Sequence, residues 1–136
     1  MKKLSLLLLF ILPISCAQKE STPEPPAQTQ TVTDYENITV SEFNAEYTQP
    51  DSDVVILDVR TDEEVSEGMI PNAIQIDFRG ADFKTKIAEL DTDKTYVVYC
   101  RSGGRSSAAS EIMTKELGFK DVKNLEGGYT AWSEND

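Results

Sequence analysis

Two apolar runs constrain this chain more than anything else in it. "DVVILDV" (Asp53 to Val59) and "KTYVVYC" (Lys94 to Cys100) are continuous and rich in β-branched residues rather than alternating. A run of that kind is a strand buried on both faces, and it needs cover above and below. The intervening segments supply that cover. "TDEEVSEG" offers Thr61 as a helix cap, Glu64 three residues later as its capping-box partner and Gly68 as terminator. "DFKTKIAEL" places Phe83, Ile87 and Leu90 on one helical face. "SSAASEIMTKEL" reads as a helix with Ala108, Ala109, Ile112 and Leu117 near one side, stopped by Gly118. "NITV" reads as a short first strand, with Ser41 capping a helix through Tyr47. "NAIQID" and "DVKNL" read as further strands, and "GGYTAWSE" as a short closing helix. Strands alternating with helices predict an α/β domain whose mostly parallel central sheet is flanked by helices on both faces.

The chain of 136 residues has room for one such domain and not for two independent cores. Residues 36–136 are assigned to it. Ahead of it, "MKKLSLLLLFILPISC" runs from two lysines through an apolar stretch to small residues before Cys16. That is the order of a secretory signal, too short for a comfortable membrane span. The cysteine after "PIS" resembles the lipobox of bacterial lipoproteins, although Pro13 stands where leucine is usual. Residues 1–15 are therefore expected to be a lipoprotein signal peptide and Cys16 the lipidated first mature residue. The expected location is the bacterial cell envelope, periplasmic or surface-facing. Residues 16–35, rich in Pro, Thr, Gln and Glu, cannot bury enough surface to offset their ordering entropy and read as a flexible tether.

Charge narrows the function. With 13 basic and 24 acidic residues the net charge is −11, so no basic surface is available for nucleic acid. There is no histidine, which removes imidazole-assisted nucleophiles and most catalytic zinc sites. If Cys16 carries lipid, Cys100 has no disulfide partner within the mature chain.

Cys100 ends a buried strand just before a helix, in "CRSGGRS". In parallel sheets reactive groups sit beyond the carboxyl ends of strands. Arg101 and Arg105 are cations, and the entry to the helix offers free backbone N–H groups; both lower a thiol's pKa. Gly103 and Gly104 let the backbone curl so that successive N–H groups point at one anion. The expected object is an anion cradle with sulfur at its base. A buried filler cysteine before an ordinary glycine turn is the plain alternative. Cysteine-dependent phosphatases space cysteine and arginine by five residues; here four separate Cys100 from Arg105, and the shorter ring suits a single sulfur better than a phosphate ester.

Three ordered motifs carry a family resemblance. "ILDVRTDEEVSEGMIPNAIQID" (Ile56 to Asp77), "YVVYCRSGGRS" and "LEGGYTAW" (Leu125 to Trp132) resemble the first signature, active-site loop and closing signature of single-domain rhodaneses, across residues 36 to 134. Met69 and Asn72 depart from the usual histidine and glycine, and altered local packing is expected there. The resemblance implies a sulfurtransferase with a rhodanese-like fold. Cys100 would take sulfane sulfur from a donor such as thiosulfate as a persulfide and pass it to cyanide or a thiol. Backbone N–H groups of Arg101, Ser102, Gly103, Gly104, Arg105 and Ser106 would hold the anions, and Arg101 and Arg105 would attract the small anionic donor. No metal or organic cofactor is implied. The alternative is a rhodanese-like carrier or binding module with a protein sulfur acceptor and little turnover. Asp58 and Arg60 are supporting residues, read chiefly as ion pairs tying loops to strand ends, with Glu64 and Glu67 as candidate partners of Arg60. Trp132 is read as core packing.

Overall fold

The computed structural model describes residues 34–49, 51 and 53–135; the predicted signal peptide, Cys16 and the tether up to Thr33 lie outside the described residues. The described elements run β1 (Glu36–Ile38), α1 (Val40–Glu46), β2 (Val54–Asp58), α2 (Asp62–Ser66), β3 (Ile74–Gln75), α3 (Phe83–Ala88), β4 (Thr95–Tyr99), α4 (Gly104–Lys115), β5 (Asp121–Leu125) and α5 (Gly128–Glu134). They form one five-stranded sheet in the order β1-β5-β4-β2-β3. Every pairing in it is parallel. The two continuous apolar runs are interior strands, lying side by side from Val54↔Thr95 to Asp58↔Tyr99.

Strand geometry divides the core in two, because successive side chains point to opposite faces. Leu57, Val59, Tyr96, Val98 and Cys100 pack with Phe83 and Ile87 of α3 and Ala109 and Met113 of α4. Ile56, Val97, Tyr99 and Leu125 pack on the other face with Phe43 of α1, Ile70 and the partly buried Tyr129 and Trp132 of α5. Helices therefore cover both faces, and each β-branched run is buried twice over. Trp132 is packing, as its sequence context suggested.

Topology also selects the place for a site. The chain leaving β2 goes on to β3 on one side, while the chain leaving β4 goes on to β5 on the other. A crevice opens where neighbouring parallel strands send their connections opposite ways. Here it lies between the segments following Asp58 and Tyr99, and Cys100 is the first residue past β4.

Four local expectations need correction. Strand β1 ends at Ile38, not Val40; Thr39 caps α1, with Glu42 completing a capping box, and Ser41 is inside the helix. Thr39 wins because it has glutamate three residues on, whereas Ser41 has Asn44. Strand β3 is two residues long, because the segment pairs only along the edge of β2, from Leu57↔Ile74 to Asp58↔Gln75. Helix α4 starts at Gly104 rather than Ser106 and buries Ser106, Ala109, Ser110 and Met113; Met113 joins the core beside Ala109, and Ile112 and Leu117 pack partly buried against the same cluster. Asn72 has a positive φ of 64°, a left-handed backbone that asparagine tolerates better than most residues, which accounts for its standing where the resembled family has glycine.

Candidate active site

The loop after β4 is built around one sulfur. Cys100 is 2% exposed, and its Sγ accepts a hydrogen bond from the Gly103 backbone N–H at 3.2 Å. The Ser106 hydroxyl sits 3.5 Å from the same sulfur and 3.1 Å from the Gly103 carbonyl oxygen; its single proton serves one acceptor at a time. Gly103 makes the curl: its φ of 105° is left-handed, and it is the N-cap residue of α4. Gly104 has no such role, being an ordinary first helical residue whose absent Cβ would face open space. Burial pushes the Cys100 thiol pKa up, but the Ser106 hydroxyl and the backbone N–H groups of Ser106, Ser102 and Gly103 outweigh it, so the net direction is down.

The arginines divide their work. Arg105 donates from its two terminal guanidinium nitrogens, Nη1 and Nη2, to the two carboxylate oxygens of Glu64, each at 2.7 Å. Glu64 also closes the capping box of α2 with Thr61, so one carboxylate ties the start of α2 to the start of α4. That bidentate pair holds the Glu64 carboxyl at about 2, ionised across the whole neutral range. The Cys100 thiolate contributes further to raising the Arg105 pKa, after Glu64. Arg101 and Ser102 are exposed at the loop's rim.

Asp58 and Arg60 are fixed below the loop. Asp58 is fully buried and pairs with Arg60 at 2.7 Å, so it faces no open cleft. Arg60 also donates to the Gly68 carbonyl at 2.7 Å, and its guanidinium stacks 4.0 Å from the Tyr129 ring centroid and 5.5 Å from that of Tyr99. The expected carboxylate partners of Arg60 are therefore corrected: Glu64 is taken by Arg105, and neither Glu64 nor Glu67 forms the ion pair. Burial lowers the Arg60 pKa and the bonds and charge of Asp58 more than offset this, raising it overall. Replacing Asp58 with alanine leaves that guanidinium buried and uncompensated, and chemical denaturation is expected to show a loss of about 3–5 kcal/mol.

Sequence reasoning missed the part played by α5. The Tyr129 N–H donates to the Cys100 carbonyl at 2.8 Å and the Thr130 N–H to the Arg101 carbonyl at 3.1 Å. In a trans peptide the C=O and the next N–H point opposite ways. Holding the Arg101 carbonyl against α5 thus turns the Ser102 N–H back toward the sulfur. Gly128 permits the approach: a Cβ there would lie 2.3 Å from the Cys100 carbonyl oxygen. The signal was the second glycine of "LEGG", which a helix start alone does not require.

Of the predicted loop residues, Ser102, Gly103 and Ser106 thus turn hydrogen-bonding groups to the Cys100 sulfur, while the Arg101 side chain stays at the rim, Gly104 starts the helix and Arg105 is held by Glu64; Glu64 and α5 are the unforeseen supports. Cavities of about 380, 420 and 400 Å³ lie elsewhere, lined by residues such as Phe43, Asn72 and Trp132 in the first, Tyr47 and Val54 in the second and Val40 and Asn135 in the third; none is lined by the cysteine loop.

Fold and site together define a parallel α/β domain that presents a single thiol in a backbone anion cradle. The chain belongs to the rhodanese-like domain family, whose model matches residues 39–135. It is 49% identical over 84 residues to YtwF of Bacillus subtilis (strain 168), covering 62% of this chain and 78% of the relative. To a sulfurtransferase of Allochromatium vinosum it is 37% identical over 83 residues, covering 61% and 75%. The rhodanese-related protein of Thermoplasma volcanium superposes with a TM-score of 0.61 at 32% identity, covering 74% of this chain and 93% of that one. Relatives named sulfurtransferase support a rhodanese-type sulfurtransferase.

If hydrogen bonds rather than arginine charge hold the thiolate, Ser106→Ala raises the thiol pKa. Iodoacetamide alkylation of Cys100 followed against pH checks this. Because only the thiolate reacts, the wild-type midpoint falls below that of an ordinary cysteine, and the variant's midpoint moves upward.

Proposed function

We propose that the chain moves sulfane sulfur from a small anionic donor such as thiosulfate to a thiol or cyanide through a persulfide on Cys100. The observation that carries this reading is the sulfur facing the Gly103 N–H and the Ser106 hydroxyl at the carboxyl end of β4. The Cys100 thiolate attacks the outer sulfur of thiosulfate; the sulfur–sulfur bond breaks, and sulfite leaves with the electron pair. The persulfide anion, one atom longer than the thiolate, still lies among N–H groups that need not reorganise. Acceptor thiol then attacks the outer sulfur, and Cys100 departs as the thiolate that the loop favours. Arg101, exposed at the rim, supplies local positive charge for the donor; the net charge of −11 matters less, since screening acts beyond roughly 8–10 Å.

A carrier with little turnover is the second reading. The commitment of Arg105 to Glu64 favours it, because a neutralised arginine attracts a dianion less. The test is thiocyanate formation from thiosulfate and cyanide by the full chain: steady turnover supports the enzyme, and a single stoichiometric round supports the carrier. We further propose anchoring at the cell envelope through lipid on Cys16, supported by the signal-like run before it. Labelled fatty acid incorporated by the wild type and not by Cys16→Ala is the expected result, and equal labelling contradicts it.

A further inference from the structure

Beside the cysteine loop, between α2 and α5, lies a cavity of about 180 Å³ whose walls include Arg60, Glu64, Glu67, Arg101, Tyr129 and Ser133. Four of these side chains are charged. Two are satisfied, Arg60 by Asp58 and Glu64 by Arg105. The remaining two, Glu67 and Arg101, carry opposite signs, are exposed, and form no ion pair among the described residues, with each other or with anything else. A small cavity with one free cation and one free anion complements a molecule bearing both charges. Its volume of about 180 Å³ suits a small ligand. It borders the cysteine loop: Arg101 in its wall follows Cys100, and Tyr129, also in its wall, donates its N–H to the Cys100 carbonyl.

We propose that this cavity is an acceptor subsite for a small amino-acid thiol, its carboxylate on Arg101 and its ammonium on Glu67. The proposal rests on the persulfide reading above and specifies the acceptor. The acceptor thiolate attacks the outer sulfur of Cys100–S–SH and forms a new sulfur–sulfur bond. The Cys100 sulfur–sulfur bond breaks, Cys100 keeps the electron pair as thiolate, and the proton leaves with the amino-acid persulfide. Sulfane sulfur is transferred without net oxidation or reduction, so no further reactant is needed.

The experiment uses the full chain with saturating thiosulfate and follows sulfite release. The acceptors are cysteine, cysteamine (no carboxylate) and 3-mercaptopropionate (no ammonium). Each is run with the wild type and with Glu67→Gln, so that differences in intrinsic thiol reactivity cancel. The expected result is a fall of about fivefold in kcat/KM for cysteine and for cysteamine in Glu67→Gln, the upper range for an exposed ion pair. The value for 3-mercaptopropionate stays unchanged, which also shows that the variant is folded. A fall shared by all three acceptors, or by none, overturns the subsite. Absence of sulfite release with every acceptor, cyanide included, overturns the sulfur-transfer reading itself and is thereby distinguished from failure of the subsite alone.

Discussion

Cys100→Ser is expected to lower sulfite release from thiosulfate by at least about three orders of magnitude, the scale of losing a covalent nucleophile. The substitution changes one atom in a site that is 2% exposed, so the loop keeps its shape and the loss reports chemistry. An alcohol ionises far above neutral pH, and a few hydrogen bonds cannot bring it down to the range that they give a thiol. The same N–H groups that favour a thiolate leave a serine hydroxyl protonated. Steady-state rates with circular dichroism on the same samples check both halves of this expectation. Activity unchanged in the serine variant sinks the nucleophile assignment.

Gly128→Ala is the second large effect. An added Cβ would meet the Cys100 carbonyl oxygen at 2.3 Å and the Arg101 carbonyl carbon and oxygen at 2.9 Å. These are backbone atoms, held by the Tyr129 and Thr130 N–H groups, and cannot swing aside as a flexible side chain can. The backbone at Gly128 also has φ of 56°, which alanine adopts only under strain. Crowding and backbone strain together are expected to cost about 2–4 kcal/mol in urea denaturation. Because the first atoms to move belong to Cys100 and Arg101, the Ser102 N–H turns away from the sulfur and the alkylation midpoint of Cys100 rises. Gly104→Ala is the stability control: its Cβ would meet nothing within 4 Å, and no comparable loss of stability is expected. Equal destabilisation by the two substitutions would contradict the role given to the α5 contact.

The fold was legible because both of its interior apolar strands declare themselves. A continuous β-branched run leaves little choice but two-sided burial, and β2 and β4 lie together in the middle of a parallel sheet. The capping box of Thr61 and Glu64 was equally legible, since cap and partner are three residues apart and need nothing distant. Charge partners were not. Glu64 lies close to Arg60 in sequence yet reaches Arg105, 41 residues away, because the crevice brings the starts of α2 and α4 together. Arg60 in turn takes the carboxylate two residues before it, whose burial no local pattern announces. Likewise the thiol's support comes from the Ser106 hydroxyl together with backbone N–H groups, of which that of Ser102 is turned inward by the α5 contact, and backbone direction leaves no mark in residue identity except where a glycine is required. Gly103 and Gly128 are those marks; Gly104 resembles them in sequence and differs in the fold.

The central claim is that Cys100 carries the sulfur, and intact mass spectrometry after incubation with thiosulfate tests it most directly. The wild-type chain is expected to gain about 32 Da, the mass of one sulfur, as a persulfide. The gain is reversed by an acceptor thiol and absent in Cys100→Ser. No gain in the wild type, or a gain that persists in the serine variant, contradicts the account.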